Sequence, residues 1–248
     1  MLYKKSDSGL LIPECISLWK PKSLCDITMF PMDHGILVAA AASAVTLTFT
    51  TSAIDATDGT TFTFAGKSLS TAAASRKIVV TIFGASATTT LTISTVTVAG
   101  VSATLVKAHQ DVGGEEYVQI WQAAVPTGTT GDVVVTWSGS VVCCGIGIFA
   151  MYDAASAASA TAGANNTPNP SVSLSIPANG AAIGVAGGAG TATWTWTNLT
   201  ENYDAVVEGV QNHTGASKTV VAAETPTITA TPSPSSAPCM ALASWALA

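Results

Sequence analysis

The chain has 248 residues, 48% apolar and 10% charged, with 9 basic and 15 acidic side chains for a formal charge of −6. Extensive disorder needs many charges and few apolar groups, so it is excluded, and a net negative chain without a Lys/Arg cluster is a poor partner for nucleic acid. A chain of this length can build one large core or two smaller ones without disulfide or metal staples.

Residues 1–35 stand apart. Lys4, Lys5, Lys20 and Lys22 are four of the nine basic residues, and Pro13, Pro21 and Pro31 interrupt any regular element. Leu10, Leu11, Ile12, Ile16, Leu18, Trp19, Leu24, Ile27, Met29 and Phe30 are too many large apolar groups for a solvated tail. They either pack back on the chain's own body or lie in a groove of a partner subunit. A proline-broken segment too short for a core favours the second, so an irregular N-terminal docking arm is expected. The apolar run Ile36–Phe49 is shorter than the roughly 20 residues of a membrane helix, so no membrane insertion is expected. Asp33 and His34 stand where a signal peptide carries positive charge, and a restart at Met32 would give a leader without Lys or Arg.

From residue 36 onward a β body is expected. Short alternating runs of Val, Ile, Thr and aromatics predict strands over Val45–Thr51, Thr60–Gly66, Lys77–Phe83, Leu91–Val98, Ala103–Val106, Tyr117–Val125, Asp132–Trp137 and Gly145–Tyr152. Turn chemistry falls between them at Ala99-Gly100, Gly113-Gly114, Pro126-Thr127-Gly128 and Ser138-Gly139. A low-complexity loop, 154–170, then joins two halves of about 45–153 and 171–248. The second half is predicted as strands over Val172–Ile176, Ala181–Ala186, Thr193–Thr197, Ala205–Val210, Thr219–Ala223, Thr227–Ala230 and Met240–Ala246. Three phrases of it match the first half. Ala182–Val185 resembles Ile78–Thr81, Lys218–Ala223 before Pro226 resembles Glu116–Val125 before Pro126, and Met240–Trp245 resembles Cys144–Phe149. With no sustained helical period, the fold class expected is all-β: an antiparallel β-sandwich or jelly roll, built as two similar halves.

Candidate chemistry is thin. Cys15, Cys25, Cys143, Cys144 and Cys239 have neither a disulfide nor a zinc spacing; adjacent Cys143 and Cys144 point to opposite faces of a strand and read as buried thiols. Gly66-Lys67-Ser68 lacks the first glycine of a phosphate loop. His109, Asp111, Glu115 and Glu116 surround Gly113-Gly114, where a solvated hairpin tip competes with acid/base chemistry, and Asp55 and Asp58 lack the spacing of a calcium loop. No metal, cofactor or catalytic site is expected. Trp194 and Trp196 share a strand face near Tyr203 and could form a glycan-stacking platform, although core packing would claim the same rings first.

One resemblance bears on function. The phrases Arg76–Val80, Ser94–Thr104, Ile120–Gly131 and Cys144–Ile148, continued through Pro177–Gly180 and Leu199–Asp204, are similar to β-sandwich structural proteins of tailed bacteriophages and prophages. The resemblance implies a virion component without a defined active site. The expectation is therefore a non-enzymatic homo-oligomer of decoration, spike or fibre type on the virion surface, anchored to a capsid or tail subunit by its arm. The alternative is a glycan-binding adhesin or host-recognition module acting through Trp194, Trp196 and Tyr203. A hydrolase would need Asp111, Glu115 or Asp204 brought together across strands.

Overall fold

The computed structural model describes residues 3–5, 11–13, 43–87, 91–165, 168–190, 193–209, 211–233 and 236–248. The chain divides into two compact units, Met1–Ala39 and Ala40–Ala248. In the first, β1 (Tyr3–Lys5) pairs antiparallel with β2 (Leu11–Pro13), placing Lys4 opposite Ile12. Leu11 and Ile12 of the predicted docking set lie in β2; Leu10, Ile16, Leu18, Trp19, Leu24, Met29 and Phe30 lie outside the described residues.

All regular structure described in the body is strand. Its first half holds β3 (Thr46–Asp55), β4 (Gly59–Ser68), β5 (Lys77–Ala85), β6 (Ile93–Val98), β7 (Val101–Ser102), β8 (Thr104–Gln110), β9 (Glu116–Ala124), β10 (Thr130–Val141) and β11 (Cys143–Tyr152). The second holds β12 (Ala160–Ala164), β13 (Ser171–Ser173), β14 (Ala181–Ala189), β15 (Thr193–Thr197), β16 (Thr200–Glu208), β17 (Gln211–Thr219), β18 (Thr227–Ser233) and β19 (Ser236–Trp245). The turn Ala99-Gly100 behaves as its residues dictate. Both take positive φ, 49° and 78°, the requirement of the tight hairpin joining β6 to β7.

The halves share one topology. The first stacks a sheet of order β3-β11-β5-β9-β8 on one of order β4-β10-β6-β7; the second has β12-β19-β14-β17-β16 and β13-β18-β15. Substituting each strand by its counterpart in chain order turns one arrangement into the other, with the two-residue β7 as the addition. First, eighth, third and sixth strands side by side, facing second, seventh and fourth, is the nesting of a jelly roll. Two of the matched phrases fall on equivalent strands, β5 with β14 and β11 with β19. The third straddles the end of β17 and agrees only at its proline, since Pro226 precedes β18 as Pro126 precedes β10.

Three apolar clusters fill the body. One lies inside the first half around Phe62, Ile82, Trp121 and Trp137, and one inside the second around Leu174, Trp194, Ile228 and Met240. The remaining cluster joins the two five-stranded sheets, Val79, Phe83, Val118, Ile120, Phe149 and Met151 meeting Ile183, Val185, Tyr203, Val207, Ala241 and Trp245. The body is thus four layers deep. β5 is buried along its whole length and β14 at all but its last residue, because both faces of the inner sheets are covered. β5 lies against β14, β8 against β12 and β3 against β16, the arrangement of a two-fold axis between the halves.

Close approach of the inner sheets depends on glycine. A Cβ at Gly147 or Gly215 would overlap the Tyr203 ring, one at Gly187 would overlap Phe83, and one at Gly145 would sit 2.6 Å from His213 Nε2. At Gly145, Gly147 and Gly187 a ring of one half seats on bare backbone of the other, and Gly215 makes room for Tyr203 within its own sheet.

Two sequence expectations need correction. The segment 154–170 is not wholly a linker, since Ala160–Ala164 forms β12 and pairs with β19; its small residues suit an edge where Gly163 packs against His109 and Lys107. The strand expected over Thr219–Ala223 is instead β17 over Gln211–Thr219. Its Asn212, His213 and Thr214 look like loop residues but are fully buried, Asn212 and Thr214 having hydrogen-bond partners inside the second half.

Candidate functional site

The aromatic platform does not form. Trp194 is 3% exposed within the second half's own core, and its Nε1 donates to Asn212 Oδ1 at 2.5 Å. Half-buried Trp196 donates to Thr214 Oγ1 at 3.0 Å. Tyr203 belongs to the other face of its sheet, in the cluster between the halves, where it stacks on Phe49 with ring centroids 5.4 Å apart. Trp194 and Trp196 are taken by the second half's core and Tyr203 by the cluster between the halves, so the three rings share no surface.

The carboxylates near Gly113-Gly114 do not converge on a reacting centre either. Asp111 is buried and organises the loop: Oδ2 accepts from Gly113 N at 2.7 Å, and Oδ1 from Glu115 N and Glu116 N at 2.8 Å each. Glu116 turns inward. Asp55 Oδ1 accepts from Thr57 N at 3.0 Å and Thr57 Oγ1 at 2.6 Å, so it closes its own turn. Among the described residues no group of three or more His, Cys, Asp or Glu is placed to hold a metal ion. No described helix is long and apolar enough to cross a membrane.

The polar chemistry is concentrated between the halves. Thr81 Oγ1 donates to Gly147 O at 3.2 Å, which makes the Tyr203 hydroxyl, 2.9 Å away, the donor to Thr81. Tyr203 is left able to accept from His213 Nδ1 at 3.5 Å, the outer limit of a hydrogen bond. The imidazole proton is assigned to Nδ1 on this ground, and the buried Nε2 has no partner among the described residues. Burial holds His213 neutral down to about pH 3.

Glu116 sits at the same interface. Burial raises its carboxyl to about 8, reinforced by Asp111 and Glu115 and opposed by a hydrogen bond from Gln211. Its Oε2 and the Gln211 Oε1 are buried without partners among the described residues. Desolvation also raises the Cys143 thiol to about 12 and keeps Cys144 and Cys239 protonated, so these three free thiols are inert. Cys143 faces the other half and Cys144 the first core, as their adjacency in a strand requires. Cys15 and Cys25 lie outside the described residues.

A further polar centre was not anticipated. Arg76, the chain's one arginine, is 1% exposed and gives all its donors to backbone. Nε reaches Val125 O at 2.7 Å, Nη1 reaches Leu69 O and Ser70 O at 3.0 and 2.9 Å, and Nη2 reaches Thr127 O and Gly128 O at 2.7 Å each. A lone arginine beside a lysine in an otherwise uncharged stretch was the available signal. Next to it Lys77 donates to Ala155 O, and desolvation lowers its ammonium. Both line a basin of about 750 Å³ with Ser75, Asp153, Ser156 and Ala248. The guanidinium has no donor left for a ligand, so Arg76 ties loops together.

No family model, curated protein or solved structure matches the chain. Among the described residues, Arg76, Asp55 and Asp111 close loops, and Glu116 and His213 lie at the seam between the halves.

Proposed function

We propose that this is a non-enzymatic structural protein of the decoration, spike or fibre type on the surface of a tailed-phage particle. The resemblance of its strand phrases to such proteins motivates the class. The observation that carries the mechanism is the division of the chain into a small N-terminal unit, Met1–Ala39, and a large body, Ala40–Ala248. In this reading the first unit anchors a copy to a capsid or tail subunit by burying side chains such as Leu11, Ile12, Trp19 and Phe30, and the body faces the medium. A four-layer body whose strongest polar groups are used internally supports a presented scaffold. Copies act in a symmetric set, as virion surface subunits do.

Deletion of residues 1–39 is the test. Expressed in cells producing the particle, the truncated chain is expected to accumulate folded in the soluble fraction and to be missing from purified particles. Full incorporation of the truncated chain rules out the anchoring role.

A further inference from the structure

The first half carries a small cleft of about 240 Å³ between β8–β9 and the segment entering β6, lined by Leu91, Thr92, Ala108, Gln110, Tyr117 and Gln119, with His109 at its side. Register explains who faces it. Tyr117 and Gln119 are two apart on β9, and Gln110 and Ala108 are their cross-strand partners on β8, so all four share one face of the sheet.

Gln119 is the decisive residue. It is 95% buried by its 5% exposure, and its Oε1 accepts the Trp121 indole N–H at 2.8 Å. That bond fixes which way the amide points. Among the described residues no acceptor meets its Nε2, and Gln119 lines the cleft. A buried amide held in one orientation by a tryptophan, with its donor end open to a cavity, is a preorganised hydrogen-bonding group. Tyr117 adds an apolar wall, since its hydroxyl is already engaged, donating to Gly114 O at 2.5 Å and accepting from Leu91 N at 3.1 Å. Leu91 and Ala108 extend the wall, while Thr92 and Gln110 offer exposed hydroxyl and amide groups.

Among the described residues lining the cleft, His109 is the one histidine, and none is a lysine, arginine or carboxylate. The His109 ring packs towards Gly163, and burial together with Lys107 lowers its pKa, which favours the neutral imidazole. A wall of ring and aliphatic carbon under uncharged donors and acceptors matches a ligand with an apolar face and a hydroxyl rim. The volume lies below the roughly 300–1,000 Å³ of drug-sized pockets, enough for one ring. We infer that this cleft binds a single neutral sugar unit, with Gln119 Nε2 donating to a ring hydroxyl. The site is separate from Trp194, Trp196 and Tyr203, and it does not depend on the anchoring role of the first unit.

Methyl glycosides of glucose, galactose, mannose and N-acetylglucosamine, titrated into the ¹⁵N-labelled full chain, provide the probe. At least one is expected to shift amide resonances of Ala108–Gln110 and Tyr117–Gln119 saturably. Ala108→Trp, at an exposed position, fills the cleft and should abolish the shifts with the thermal midpoint unchanged. Gln119→Glu, read above the pH at which its carboxyl ionises, keeps the acceptor for Trp121 and removes the donor, and should weaken binding about tenfold, the size of one neutral hydrogen bond. The inference fails if no glycoside shifts these resonances, or if Ala108→Trp binds as well as wild type. Because Ala108 is exposed, that variant decides the matter even should Gln119→Glu unfold.

Discussion

Five carbonyl oxygens around one guanidinium join Leu69 and Ser70 to Val125, Thr127 and Gly128, two loops distant in sequence. Arg76→Met keeps much of the side-chain volume and removes every donor. With a cost of about 1–3 kcal/mol for each buried polar group left unpaired, even partial rehydration of the loops leaves an expected loss of about 4 kcal/mol, read as a shift in urea midpoint. Arg76→Lys, a point charge with three donors, should recover less than half of it. Glu116 and His213 make stability pH-dependent in opposite senses. The Glu116 carboxyl is raised from 4.5 to about 8, so between those values the unfolded chain has released a proton that the folded chain keeps, and stability falls as pH rises. His213 is lowered from 6.5 to about 3; there the unfolded chain holds the extra proton, and stability falls as pH drops from 6.5 towards 3. Between about pH 4.5 and 6.5 the two slopes cancel to a plateau, with a decline of about 2 kcal/mol on each side. Urea midpoints measured across pH should show Glu116→Gln flattening the alkaline limb and extending the acid limb up to about pH 6.5, where the His213 slope is no longer opposed.

Strand pairing and the seam between the sheets follow from patterning with one complication. Alternating runs such as Asp132–Trp137 were legible because one face meets the core and the other solvent, and Val133, Val135 and Trp137 are indeed buried. Continuous apolar runs, Ile78–Phe83 and Cys143–Met151, carried a second message: strands that bury both faces. That signal pointed to a further layer, yet it is easily read as an ordinary sandwich strand because period alone does not say what covers the outer face. β17 was illegible for the opposite reason, since Gln211–Thr219 buries polar groups such as Asn212, His213 and Thr214 whose partners, Trp194, Tyr203 and Trp196, sit on other strands. The candidate sites fared worse, because whether Trp194 or Glu116 faces solvent depends on which sheet covers it. The glycines of the seam test that layer directly. Gly147→Ala places a methyl group against the Tyr203 ring from the other half, and Gly215→Ala does so from Tyr203's own sheet. Neither glycine has the positive φ that would confuse the result with backbone strain. Each variant should cost about 1–3 kcal/mol by overpacking, measured by chemical denaturation, and Tyr203→Leu in the Gly147→Ala background should return part of it.

Two jelly-roll halves on one chain could unfold separately or together, and the seam decides which. Besides the shared apolar cluster, bonds cross between halves at several levels: Trp245 Nε1 donates to Gln122 Oε1 at 2.9 Å, Val45 N to Asn179 O at 2.9 Å, and Asn165 Nδ2 to Gln110 O at 3.1 Å. Separation would expose fully buried Phe83, Phe149, Met151, Ile183, Val185 and Trp245, at about 1.5–3 kcal/mol for each large side chain, which is comparable with the whole stability of a domain. An intact half beside an unfolded one is therefore a high-energy state. The body is expected to melt in a single transition with equal calorimetric and van't Hoff enthalpies. Gly145→Leu, which drives a branched side chain into His213, should split the melt into two transitions because it weakens the seam and leaves both internal cores intact. Two transitions in the wild-type chain would mean that the seam couples the halves too weakly for them to act as one body.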